Sequence, residues 1–307
     1  MLRRSPAMLR ALAVTAALLS GVITIENAPA DEAQAPTKKQ ASTETIGGLE
    51  WRTDYGAAYQ AAKKGKRMLL INWTDAATDV RQQKVDQYME QQNMVDRLKR
   101  VVRLRLPVDA EIKVDGESQR LLSFPAFAEL HNGPGFVLLD LRHVGAPYYG
   151  RAVSALPYAS GKYYHWQDSH LHVMLDLPPG TITQRTMIFA VRTHPEGPAS
   201  TYGMHHPTLA SGAAQHSNYQ ASIGVQGHQN FESRYGQLSG AAGGSVSEVV
   251  AESWPGQNML DSCIDCVQSW RQSPGHWGGV VRRHRAFGFD IRRGGNGIWY
   301  GTGIFAD

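Results

Sequence analysis

Across its 307 residues the chain has only two cysteines, Cys263 and Cys266. That excludes a disulfide framework, because at most one bridge can form. It also has little charge of one sign in excess. There are 31 basic and 27 acidic residues in all, and without the first thirty the count is 28 against 26. A net charge near +2 gives no basis for a dedicated phosphate-binding surface, so no nucleic-acid partner is expected. The clusters Arg103/Arg105 and Arg282/Arg283/Arg285/Arg292/Arg293 are read as solvated strand and loop faces. Past Ile25 no run approaches the roughly 20 apolar residues that a membrane span needs. No internal repeat at a fixed period is present.

What is there begins with an export signal. Arg3, Arg4 and Arg10 precede the apolar run Ala11 to Ile25, and Ala28-Pro29-Ala30 supplies a small-x-small cleavage pattern. Residues 1–30 are therefore expected to be a signal peptide, with a retained anchor as the alternative, and the mature protein is placed in a secreted, periplasmic or cell-envelope setting. Residues 31–48 are polar and without period, which reads as a disordered spacer. Structure is expected from Leu49 onward.

From there, helices and strands alternate. Tyr55, Ala58, Tyr59 and Ala62 share one helix face that ends at Lys63-Lys64-Gly65. Met68 to Trp73 is a buried-strand run, and Val80 to Arg100 reads as helical with Val85, Tyr88, Met89 and Val95 inward. Val102, Leu104 and Leu106 alternate with arginines as in a half-buried strand, and Phe136 to Leu141 is a further strand. This is an α/β layer pattern. Met187 to Val191 is expected to be a short strand. The aromatic and imidazole-rich stretch Tyr163, Tyr164, His165, Trp166, His170 and His172 matches no ligand spacing and reads as half-buried packing.

The opening of this block, Trp51 to Trp73, resembles an extracytoplasmic thioredoxin-like domain over residues 49–158. In that family a Cys-x-x-Cys pair follows the tryptophan. Here Thr74-Asp75-Ala76-Ala77-Thr78-Asp79 stands in its place, and without a thiolate no thiol exchange can run. The resemblance thus implies the fold and argues against the activity.

The last hundred residues hold His216-Ser217, Gly227-His228, Glu252-Ser253, Trp270 with Ser273-Pro274-Gly275-His276, and a closing Gly-rich hairpin with Trp299 to Phe305. This order resembles the CAP superfamily (cysteine-rich secretory, antigen five, pathogenesis-related) over residues 205–307, joined to the first domain by a connecting segment, 159–204. The resemblance implies a two-domain α/β protein whose second part is an α-β-α sandwich. It also implies a cleft whose two histidines and acidic residues can hold a divalent cation. His228, Glu252 and His276 fall on three of those positions, while Arg271, Gln272 and Ser273 stand where a fourth, acidic one is expected. Such an open set would suit zinc; a polar cluster held by hydrogen bonds alone is the alternative. His216 is taken as structural, and Ser217 lacks a nucleophile elbow.

Cys263 and Cys266 share a helical stripe with Met259, Val267 and Trp270, which favours core packing. A local disulfide comes next, then a catalytic pair. The functional expectation is an exported, non-catalytic binding or scaffold protein whose ligand is a cation, a lipid, a glycan or a protein. The alternative is an enzyme, either a metal-dependent hydrolase at the His/Glu cleft or an oxidoreductase using the two thiols.

Overall fold

The computed structural model describes residues 43–75 and 80–307. Its first layer is a six-stranded mixed sheet in the order β1-β2-β4-β3-β7-β8. The elements run β1 (Thr43–Ile46), β2 (Leu49–Arg52), α1 (Tyr55–Gly65), β3 (Leu69–Thr74), α2 (Val80–Met89), α3 (Gln92–Leu98) and β4 (Val102–Pro107). A small projecting ribbon, β5 (Glu111–Val114) and β6 (Glu117–Arg120), precedes β7 (Gly135–Leu139) and β8 (Ala152–Pro157). Strands β2, β4 and β3 are parallel, and β7 and β8 run antiparallel to their neighbours. Asp54 starts α1 by accepting the Ala57 N–H at 2.6 Å, and Lys66 ends it in the left-handed conformation. The expected spacer is shorter than read, because Thr43–Ile46 pairs with β2 across the Gly47-Gly48 turn. Both glycines have positive φ there, which a two-residue hairpin turn requires.

The segment expected to connect two domains, 159–204, supplies packing. It holds α4 (His170–Leu175) and α5 (Ile182–Arg192). Met187–Val191, read as a strand, is the heart of α5. Thr181 and Gln184 form a capping box at its start. The helix packs against β8 of the first sheet and, on its other side, against elements of a second. Five consecutive residues, Met187 to Val191, are buried as a result, so the apolar pattern has no helical period to read.

The second layer comprises β9 (Met204–His205), α6 (Pro207–Ile223), α7 (Phe231–Ala242), β10 (Val246–Glu252), α8 (Met259–Gln272), α9 (Pro274–Val281), β11 (Ala286–Arg293) and β12 (Trp299–Ala306). Its sheet order is β10-β12-β11-β9. Strand β10 continues through Glu252, which pairs with Tyr300. Helix α6 lies so close to β11 that a Cβ on Gly288 would sit 2.1 Å from the Ala210 nitrogen. A Cβ on Gly301 would meet the Cys266 Sγ of α8 at 3.2 Å. One hydrophobic core runs through both layers, from Phe136 and Leu156 through Phe189 to Cys266, Trp270 and Phe289. Among the described residues no helix is long and apolar enough to cross a membrane.

Candidate functional site

His228 lies in the loop between α6 and α7, and His276 in the first turn of α9, where Pro274 at the N1/N2 position supplies a helix-compatible φ. Their Nε2 atoms face each other at 3.2 Å. Behind them stands Glu248, in the middle of β10 and on a side chain only 1% exposed. Its carboxylate accepts from His228 Nδ1 at 3.1 Å and from Arg234 Nη1 and Nη2 at 2.8 and 3.2 Å. The fifth member is His216, on α6. Its Nε2 donates to the Gly227 carbonyl at 2.8 Å and lies 3.6 Å from Glu248.

These contacts fix the protons. With Nδ1–H donated to Glu248, a neutral His228 offers a lone pair on Nε2, and His276 Nε2–H fills it. Burial pushes the Glu248 carboxyl up, but the hydrogen bonds from His228 and Arg234 outweigh it and hold the group below the usual carboxylate range. Burial pushes His216 down, against the pull of Glu248. Burial and the neighbouring His228 push His276 down as well. The site is therefore an ionised Glu248 paired with Arg234 beneath the facing imidazoles of His228 and His276. A groove of about 470 Å³ opens beside it, lined by His228, Asn230, Phe231, Glu232 and Ser233.

Of the three residues expected to ligate a metal, the structure brings together His228 and His276 and leaves Glu252 apart. Glu252 is exposed at the far end of β10, four residues or about 13 Å beyond Glu248 along the strand. Glu248 takes the carboxylate position instead. Residues 248 and 252 share strand parity, so alternation along the sequence cannot choose between them. The choice falls to the α6–α7 loop, which brings His228 alongside Glu248. Arg234 was missed for a similar reason, since nothing local in FESRYG marks one arginine as an ion-pair partner. Two imidazole nitrogens around one tetrahedral ion stand roughly 3.3 Å apart at usual zinc–nitrogen lengths, so the 3.2 Å pair fits two positions. Among the described residues, no group of three or more His, Cys, Asp or Glu side chains converges to complete such a site.

The other candidates are committed to structure. Cys263 and Cys266 are free, fully buried on α8, and their thiols are pushed up by burial. The local bridge weighed from sequence is not formed, and a buried, protonated thiol is a poor nucleophile. Ser217 is buried and donates to the Asp290 carbonyl at 3.1 Å and to Thr302 Oγ1 at 2.9 Å. The stretch 76–79, where redox cysteines are lacking, lies outside the described residues, as do the expected leader and the spacer up to residue 42. Of the clustered arginines, Arg105 pairs with Asp86, Arg282 with Asp307 and Arg292 with Asp290. Compared with known proteins, the chain matches no family model, no curated protein and no solved structure.

Proposed function

We propose that this chain is an exported, non-catalytic binding protein, a thioredoxin-like layer without redox cysteines carrying a CAP-like layer with a ligand cleft. Three parallel strands followed by two antiparallel ones, with helices between the parallel strands, support the first assignment. A sheet with α6 against one face and α5 and α8 against the other supports the second. The observation that carries the function is the facing His228–His276 pair, oriented from behind by a buried, ionised Glu248. A histidine whose Nδ1–H is held by a carboxylate has its Nε2 aimed and more basic, as in many metal-contacting imidazoles.

The cleft takes a soft divalent ion such as zinc only together with an extracytoplasmic ligand, because the protein offers two donors and the ligand must complete the set. The thiol-oxidoreductase reading has no accessible thiolate to stand on. The hydrolase reading has no placed nucleophile.

Calorimetric titration of the protein with Zn²⁺ tests this. Weak binding is expected in the wild type, lost in His228→Ala and in His276→Ala, reduced in Glu248→Gln and kept in Glu252→Ala. Wild-type heats in either histidine variant, or loss in Glu252→Ala, would overturn the assignment.

A further inference from the structure

We infer that a second site, separate from the His228–His276 cleft, binds the neutral acetamido group of an amino sugar in the groove between α8, the end of α5 and the 163–170 loop. The groove measures about 280 Å³. Its apolar part is formed by Ala190, Ile264 and Val267, and its polar part includes His170, His194 and Gln268. None of the residues lining it is Asp, Glu, Lys or Arg. An ionised ligand would find no counter-charge there, so the occupant is neutral.

His170 supplies the specific contact. The Gln167 backbone N–H donates to its Nδ1 at 3.3 Å, so in the neutral ring the proton sits on Nε2. Burial, with a smaller contribution from His172, pushes this imidazole down to about 4, so it is neutral at physiological pH. The ring is held in place by Tyr164 at 5.5 Å, Trp166 at 6.1 Å and Phe189 at 5.2 Å. It is thus a rigid, uncharged donor on a residue 7% exposed that lines the groove. Such a donor selects a neutral acceptor, and the apolar patch beside it selects a small apolar group next to that acceptor. A carbonyl bearing a methyl, as in an acetamide, meets both demands. His165, Gln167 and Thr193 around the opening offer hydrogen-bonding partners for hydroxyls. The groove is bordered by helices and a loop, with no strand edge for an extended peptide to pair with, which favours a sugar over a peptide.

Saturation-transfer NMR on the mature protein, with N-acetylglucosamine, glucose and N-acetylalanine methylamide as probes, tests the inference. Transfer strongest at the acetamido methyl of N-acetylglucosamine is expected, with none to glucose. His170→Phe keeps the aromatic packing and removes the donor, and should weaken binding about tenfold, the worth of one hydrogen bond. Ile264→Trp fills the groove without touching His170 and should abolish transfer. His228→Ala should leave it unchanged, so that this site and the cleft stand or fall separately. No transfer to N-acetylglucosamine, equal transfer to glucose, or loss in His228→Ala would overturn the site. Wild-type binding in both groove variants would do the same, and preference for the peptide amide would replace the sugar by a peptide.

Discussion

Replacing one oxygen of Asp261 by NH₂ should destabilise the protein by about 2–4 kcal/mol, although the side chain keeps its shape. Asp261, on the first turn of α8, fills a nest of consecutive backbone donors. Its Oδ1 accepts the N–H groups of Tyr163 and Tyr164, both at 2.9 Å, and its Oδ2 accepts that of Lys162 at 3.0 Å. The Asn258 amide also donates to Oδ2, at 2.9 Å, while its own oxygen caps α8 by accepting the Asp261 N–H. In Asp261→Asn, either orientation of the new amide turns its NH₂ toward two donors. Asn258 cannot flip to relieve them without losing the cap. Two unsatisfied donors at roughly 1–2 kcal/mol each give the stated loss. Gly161 is part of the same fit, since a Cβ there would lie 2.0 Å from Oδ2. Burial pushes the Asp261 carboxyl up, but the N–H groups of Tyr164, Tyr163 and Lys162 outweigh it and hold it below the ordinary value. A depressed carboxyl contributes stability that is complete above its unfolded value, near 3.9, and lost as pH falls through the folded one. Urea unfolding followed by tryptophan fluorescence at pH 7 and through the acid range reads both effects. Asp261→Asn should lower the midpoint at pH 7 and flatten the acid slope. A midpoint shift worth less than about 0.5 kcal/mol, or an unchanged acid slope, would refute the nest as a stabilising contact.

Three further outcomes follow from buried groups. The Tyr164 hydroxyl is buried without a partner, so Tyr164→Phe should raise stability by about 1 kcal/mol in thermal unfolding; a loss of that size would mean the hydroxyl is satisfied. Arg185 is fully buried and donates to the carbonyls of Val153, Met174, Leu177 and Pro178 and to the Ser154 hydroxyl. Arg185→Leu strands those acceptors and should cost roughly 3–5 kcal/mol in urea unfolding, whereas a cost under about 1 kcal/mol would contradict the assignment. Cys263 and Cys266 should resist iodoacetamide in the folded protein and both react in denaturant without reductant; protection that persists in denaturant would indicate a bridge.

Much of the chain was legible because its elements carry their own signals. Helix α1 ends on cations and a left-handed cap, β3 is a short apolar run between turns, and Met259, Cys263, Cys266, Val267 and Trp270 form one buried stripe of α8. The failures share a cause. Met187–Val191 is helical but buried on every side, so its period vanished. Thr43, Glu44 and Thr45 are exposed and polar, and Thr43–Ile46 becomes a strand because β2 lies beside it. The site was half legible: the CAP resemblance marked His228 and His276, whereas Glu248 and Glu252 have the same strand parity.

A family resemblance marked two histidines for a common site; by itself, the sequence determined an alternating α/β chain and two cysteines on a packing face. These follow from local chemistry: period, caps, turn residues and side-chain type. Tertiary structure alone decided that α5 joins the two sheets in one core, that Glu248 rather than Glu252 backs the imidazoles, and that His170 lines a groove beside α8. Each of those depends on which distant segments meet, and no local pattern encodes the register of a sheet or the neighbour across a groove.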